Sequence, residues 1–147
     1  MTTLLGLLLL LLQQSAVKLD STPSTVVRGH IPTDAKPVLR VKQNQNVTID
    51  ALSHQGTNAP EGPVAFFAKG GVKREDVLKD VIDVAEKVTF PPNLGPHVLT
   101  GPIYVEGAEP GDLLEVRIID IQFRVPYGVN ATNKGTGVLP DLMSEPV

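Results

Sequence analysis

Three histidines, His30, His54 and His97, are the side chains of this chain best suited to moving a proton or binding a metal near neutral pH. The acids that could work beside them are Asp34, Glu106 and Asp112. No two histidines stand at a recognised ligand spacing, so any joint site depends on folding to bring them together. There is no cysteine in the chain, which excludes disulfides, thiolate zinc sites and a cysteine nucleophile. No Gly-x-Ser-x-Gly elbow is present. The Gly-rich stretch Gly135–Asp141 lacks the Gly-Lys-Ser/Thr ending of a phosphate loop.

Each candidate also has a plainer reading. His97, between Pro96 and Val98-Leu99, suits a partly buried hydrogen-bonding role. Glu106, before Gly107, can accept turn amides, and Asp112 can cap the turn at Pro110-Gly111. His54 sits in a polar stretch, and Tyr104 is a core residue whose hydroxyl needs a polar partner.

The elements that must carry these residues are mostly short strands. Ile103-Tyr104-Val105 and Leu113–Ile121 read as strands, and Glu109-Pro110-Gly111-Asp112 between them reads as a turn, giving an expected hairpin. Pro37–Val41 and Val47–Asp50, separated by the polar Lys42–Asn46, suggest a second hairpin. His54–Pro63 has the Gly, Asn and Pro content of a long surface loop, and Val64–Phe67 is a short apolar run. Over Val72–Val88, apolar residues recur every three or four positions opposite a charged face, which predicts one amphipathic helix. Glu75 with Lys79 and Asp83 with Lys87 are expected i,i+4 pairs. The fold class is therefore mainly β, with β-sandwich-like sheets and the single helix Val72–Val88.

The 147 residues carry a net charge of −3. That is enough chain for one core, and it offers no broad positive field for nucleic acid. Leu4–Leu12 is apolar apart from Gly6 and leads into Gln13-Gln14-Ser15-Ala16. Residues 1–16 thus read as a signal peptide, too short for stable membrane insertion, which implies a secreted or periplasmic protein. Residues 17–28 read as a polar leader and 29–147 as the domain. Asn46-Val47-Thr48 and Asn130-Ala131-Thr132 would be glycosylation acceptors in a eukaryotic source.

The stretch His97-Val-Leu-Thr-Gly-Pro-Ile-Tyr-Val-Glu-Gly-Ala-Glu-Pro-Gly-Asp-Leu-Leu-Glu-Val-Arg-Ile118 resembles the signature of the acetamidase/formamidase family, hydrolases of small linear amides. Looser similarity runs from Gly29 to Asp141, with Gln45-Asn46 where the family has Gly-Asp. Members of the family are about twice as long, so the resemblance is to an amino-terminal half, truncated at its C-terminus, and little activity is expected of this chain alone. The resemblance implies hydrolysis of formamide or acetamide to carboxylate and ammonia. With cysteine and serine routes closed, a water activated by a divalent metal, such as zinc, is the remaining nucleophile. His97 and Glu106 are then the catalytic candidates, and His30 and His97 the metal ligands. A small amide is the implied substrate, and a homo-oligomer the implied full-length form. A non-catalytic family remnant and a secreted β-sandwich binding module stand as alternatives.

Overall fold

The computed structural model describes residues 17–130; the expected signal peptide and the Gly135–Asp141 stretch lie outside them. The chain runs β1 (Val17–Leu19), β2 (Val26–Arg28), β3 (Leu39–Val41), β4 (Val47–Ile49), α1 (His54–Thr57), α2 (Pro63–Ala68), a 3₁₀ turn (Arg74–Asp76), α3 (Lys79–Lys87), β5 (Val98–Thr100) and β6 (Ile103–Val105). By its order of elements the fold is mainly β. The six strands form three two-stranded ladders: β1 with β4 and β3 with β6 in parallel, and β2 with β5 antiparallel. These are short ladders rather than the broad facing sheets of a sandwich.

Alternation selects the core. Leu19, Val26 and Val41 point inward from their strands, and α3 adds Val81 and the fully buried Val84. Val26, Leu52, Val81 and Val84 form one cluster, flanked by Phe67, Leu78, Val88 and Val98. Each such side chain contributes about 1.5–3 kcal/mol through burial. Ser21, also buried, donates to the carbonyl of Asp50 (2.6 Å) and shares a hydrogen bond with the Thr100 hydroxyl (2.7 Å), tying β1 and β4 to β5.

Several expectations need correction, the single helix among them, since α1 and α2 precede α3. Residues 17–28 are no leader, since they supply β1, β2 and the buried Leu19, Ser21, Val26 and Arg28. The Lys42–Asn46 connection does turn, with Gln45 N bonded to Lys42 O (3.2 Å) and Asn44 at φ 60°. Its flanking strands do not pair with each other, because β3 registers Leu39 and Val41 against Ile103 and Val105 while β4 lies along β1. These longer-range partners bury Leu19 and Val41. The expected 72–88 helix is shorter, spanning Lys79–Lys87, because Val77 and Leu78 are extended after the 3₁₀ turn and Val77 is buried in that conformation. Tertiary burial here outweighs helix propensity. Asp83 pairs with Lys87 at 2.7 Å and with Lys79, while Glu75 sits in the 3₁₀ turn, off the helix that carries Lys79.

The hairpin expected around Pro110-Gly111 fails in a different way. Its turn forms, with Asp112 N bonded to Glu109 O (3.1 Å), Gly111 at φ 104°, and the Asp112 carboxylate accepting from Glu109 N (2.9 Å). Leu113–Ile121 then makes no ladder among the described residues. Leu113 is 97% and Phe123 92% exposed, and the apolar residues between them are also exposed. The segment is anchored beyond its end. Arg124 pairs with Asp80 (2.6 Å), and the Tyr127 hydroxyl donates to Asp76 O (3.1 Å) while its ring lies 5.2 Å from Phe67. No helix among the described residues is long and apolar enough to cross a membrane.

Candidate functional site

The β2–β5 ladder decides where two of the three histidines go. Its antiparallel register sets Arg28 opposite Val98, and the pairing continues one step further as Gly29 N donates to His97 O (2.8 Å). His30 and His97 therefore leave the same end of one ladder, although 67 positions separate them in the chain (97 − 30). Both are exposed, and the His30 Nδ1 lies 3.3 Å from the carbonyl of Arg28. Gly29 is required at this corner. It is buried at φ 88°, and a Cβ there would stand 3.0 Å from the Leu94 Cβ. Leu94 and Phe90 thus pack close against Gly29 at this end of the ladder.

Beneath the histidines lies Arg28, 6% exposed. Its Nε donates to Asn58 Oδ1 (2.9 Å), its Nη1 to the carbonyls of Ala85 (3.3 Å) and Val88 (2.8 Å), and its Nη2 to that of Thr57 (3.0 Å). The guanidinium also sits 4.9 Å from the centre of the Phe90 ring. Burial pushes its pKa below the ordinary value. No carboxylate among the described residues pairs with it, and the partial negative charge at the C-terminal end of α3 supplies the electrostatic complement. Asn58 passes the connection on, since its Nδ2 donates to Pro96 O (2.7 Å), directly before His97. The same residue closes α1, with its backbone N bonded to His54 O (3.0 Å). His54 thus belongs to a neighbouring segment and is exposed.

Glu106 is placed elsewhere. It follows β6, its N bonded to Val41 O (2.8 Å), on a different ladder from the histidines. No hydrogen bond or ion pair joins it to either histidine among the described residues. Asp112 caps its turn, as its plainer reading had it. Tyr104 is exposed and faces its register partner Arg40, whose guanidinium stands 4.0 Å from the ring centre.

A hydrolytic zinc takes three protein ligands and a water. Among the described residues no three His, Asp or Glu side chains converge to hold a metal. His30 and His97 therefore offer two ligands at most, and the described residues do not fit the ion by themselves. The acids that do gather, Asp20, Asp50, Asp80 and Asp83, line a cleft of about 480 Å³ together with Lys18, Lys79 and Arg124. Lys18 bridges Asp20 (2.5 Å) and Asp50 (3.1 Å), and Arg124 holds Asp80, so the cations already satisfy this cluster.

Sequence reasoning missed Arg28 and Asn58. The available signal was an arginine ending the apolar Val26-Val27 run immediately before Gly29, a position where alternation sends the side chain inward with Val26.

Comparison with known proteins bears on the same residues. The acetamidase/formamidase family model matches residues 28–147, which include Arg28, His30, Asn58, His97 and Glu106. The chain belongs to the acetamidase/formamidase family. A curated relative, the acetamidase of Mycolicibacterium smegmatis, is 48% identical over 72 residues, covering 48% of this chain and 15% of that protein. The match thus spans far less than two thirds of the relative's length. No solved structure matches the chain.

Proposed function

We propose that the protein hydrolyses small linear amides, formamide or acetamide, to a carboxylate and ammonia, with His97 at the reacting centre and His30 beside it. The observation that carries this reading is the family match over residues 28–147, supported by the identity to an acetamidase. Water adds to the amide carbonyl, and the C–N bond then breaks as the departing nitrogen takes up a proton. An imidazole can accept the proton from water and return it to the leaving group near neutral pH. What supports giving this role to His97 is its exposure at the end of the β2–β5 ladder, with its own backbone held there. Glu106, the other catalytic candidate, follows β6 on a different ladder and is given no step here. A divalent ion remains part of the proposal as the chemistry two histidines would serve, but no step here runs through it. Secretion and homo-oligomeric assembly belong to the same proposal.

A second reading, a family member that binds a small amide without turning it over, is favoured by the placement of Glu106 on another ladder. One experiment separates the two: ammonia release from formamide and acetamide by the full chain, run beside a ligand titration followed by NMR. Turnover that falls by about 10²–10⁴ in His97→Ala supports the first reading. Equal turnover in His97→Ala removes His97 from the chemistry. Binding without turnover in the wild type supports the second reading.

A further inference from the structure

We infer that Asn58 is a positioning residue for His97, an inference that rests on the reading of His97 just given. A side chain leaves the backbone in a direction set by the two peptide planes that flank its Cα. For His97 those planes carry the carbonyls of Pro96 and of His97 itself. Both are held: Pro96 O accepts from Asn58 Nδ2 (2.7 Å) and His97 O accepts from Gly29 N (2.8 Å). The Gly29 bond is an ordinary extension of the β2–β5 ladder. The Asn58 bond reaches across 38 residues and has no ladder to explain it.

The orientation of the Asn58 amide is determined by its partners. Arg28 Nε has a proton to give and no lone pair, so the atom facing it at 2.9 Å is the amide oxygen. The amide nitrogen must then face Pro96 O, which can only accept. Arg28 is itself fixed by Thr57, Ala85 and Val88 and by the Phe90 ring. Rigidity thus passes from the end of α3 through Arg28 and Asn58 to the peptide that aims His97. A loop that needed only anchoring would be served by any contact. A short, directional bond to the carbonyl preceding His97 fixes the direction in which its Cα–Cβ bond leaves the backbone.

Asn58→Asp separates aiming from folding. A carboxylate still accepts from Arg28 Nε, and adds charge attraction there, so the buried clamp is kept. Its other oxygen has no proton for Pro96 O, and the bond to the His97 segment is lost. Ring resonances of His97 in the full chain, assigned with His97→Ala, would be recorded with thermal midpoints and amide kinetics. The expected result is an unchanged midpoint, displaced or broadened His97 resonances, and a kcat lower by roughly ten- to a hundredfold with KM little altered. Asn58→Ser, too short to reach Pro96 O, should disturb His97 in the same way and decides the matter if the aspartate variant folds poorly. His97 resonances and kcat that match the wild type in a folded variant would overturn the inference. Displaced resonances in a protein without measurable turnover would uphold the positioning while the hydrolytic reading fails.

Discussion

Replacing Arg28 by Met should cost more stability than any other single charged-residue change in residues 17–130. Met keeps the apolar stem and removes the guanidinium, so Asn58 Oδ1 and the carbonyls of Thr57, Ala85 and Val88 lose their donor together. Hydrogen bonds to a charged group contribute about 1.5–3 kcal/mol each, and four would sum to roughly 6–12. That sum overshoots for two reasons. The variant no longer keeps a cation out of water without a carboxylate partner, and the carbonyls of Ala85 and Val88, at the end of α3, can partly turn to solvent. About 4 kcal/mol is the defensible figure, since Asn58 Oδ1 and Thr57 O each cost roughly 1–3 kcal/mol when left without a donor. Against a total stability of about 5–15 kcal/mol, it is a large share. Urea unfolding followed by circular dichroism should show a midpoint lower by about 2 M at unchanged slope, taking a slope near 2 kcal/mol/M. Arg28→Lys should recover little, because an ammonium keeps the charge without the fork that reaches four oxygens. An Arg28→Met protein within about 1 kcal/mol of wild type would show that water replaces the guanidinium without loss, and would also remove the anchor from which Asn58 is argued to act.

Two further outcomes follow from charge and exposure. Hydrogen bonds from Lys79, and then from Lys87, hold the Asp83 carboxyl below its ordinary value of 3.8. Its support for α3 should therefore be complete above that value and vanish as pH falls through the lower folded one; amide exchange in α3 should accelerate there, less in high salt, and Asp83→Asn should abolish the pH step. The exposed Leu113–Phe123 stretch should drive self-association, since so many exposed large apolar side chains in one short segment are rare on a monomer; sedimentation should show concentration-dependent species that Ile119→Lys with Ile121→Lys suppresses, and a wild type monodisperse at high concentration would sink this.

Local chemistry was the legible part of the fold. Pro110-Gly111, with Asp112 closing on Glu109 N, turns the chain where its residues said it would, and the polar Lys42–Asn46 turns too. Val81, Val84 and Val88 keep the three-and-four spacing that marked the helix, even though its start moved to Lys79. Strand partners were not legible, because a turn fixes only that the chain reverses. Whether the flanking strands then pair depends on what else competes for their edges. Leu39-Arg40-Val41 found Ile103-Tyr104-Val105 more than sixty positions away, and no tripeptide pattern encodes that choice.

The site follows the same division. Each histidine was visible as a residue type, and the placement of His30 and His97 at one end of a ladder was not, since it is a consequence of register in the β2–β5 ladder. Moving that register by one residue would reverse the side chains of one strand relative to the other and send Arg28 out of the core. Burial of Arg28 against the end of α3 therefore does two things at once: it fixes the register that brings the two histidines to one end of the ladder, and through Asn58 it holds the segment that presents His97. A cation that composition assigns to the solvated surface is here the residue on which the geometry of the site depends.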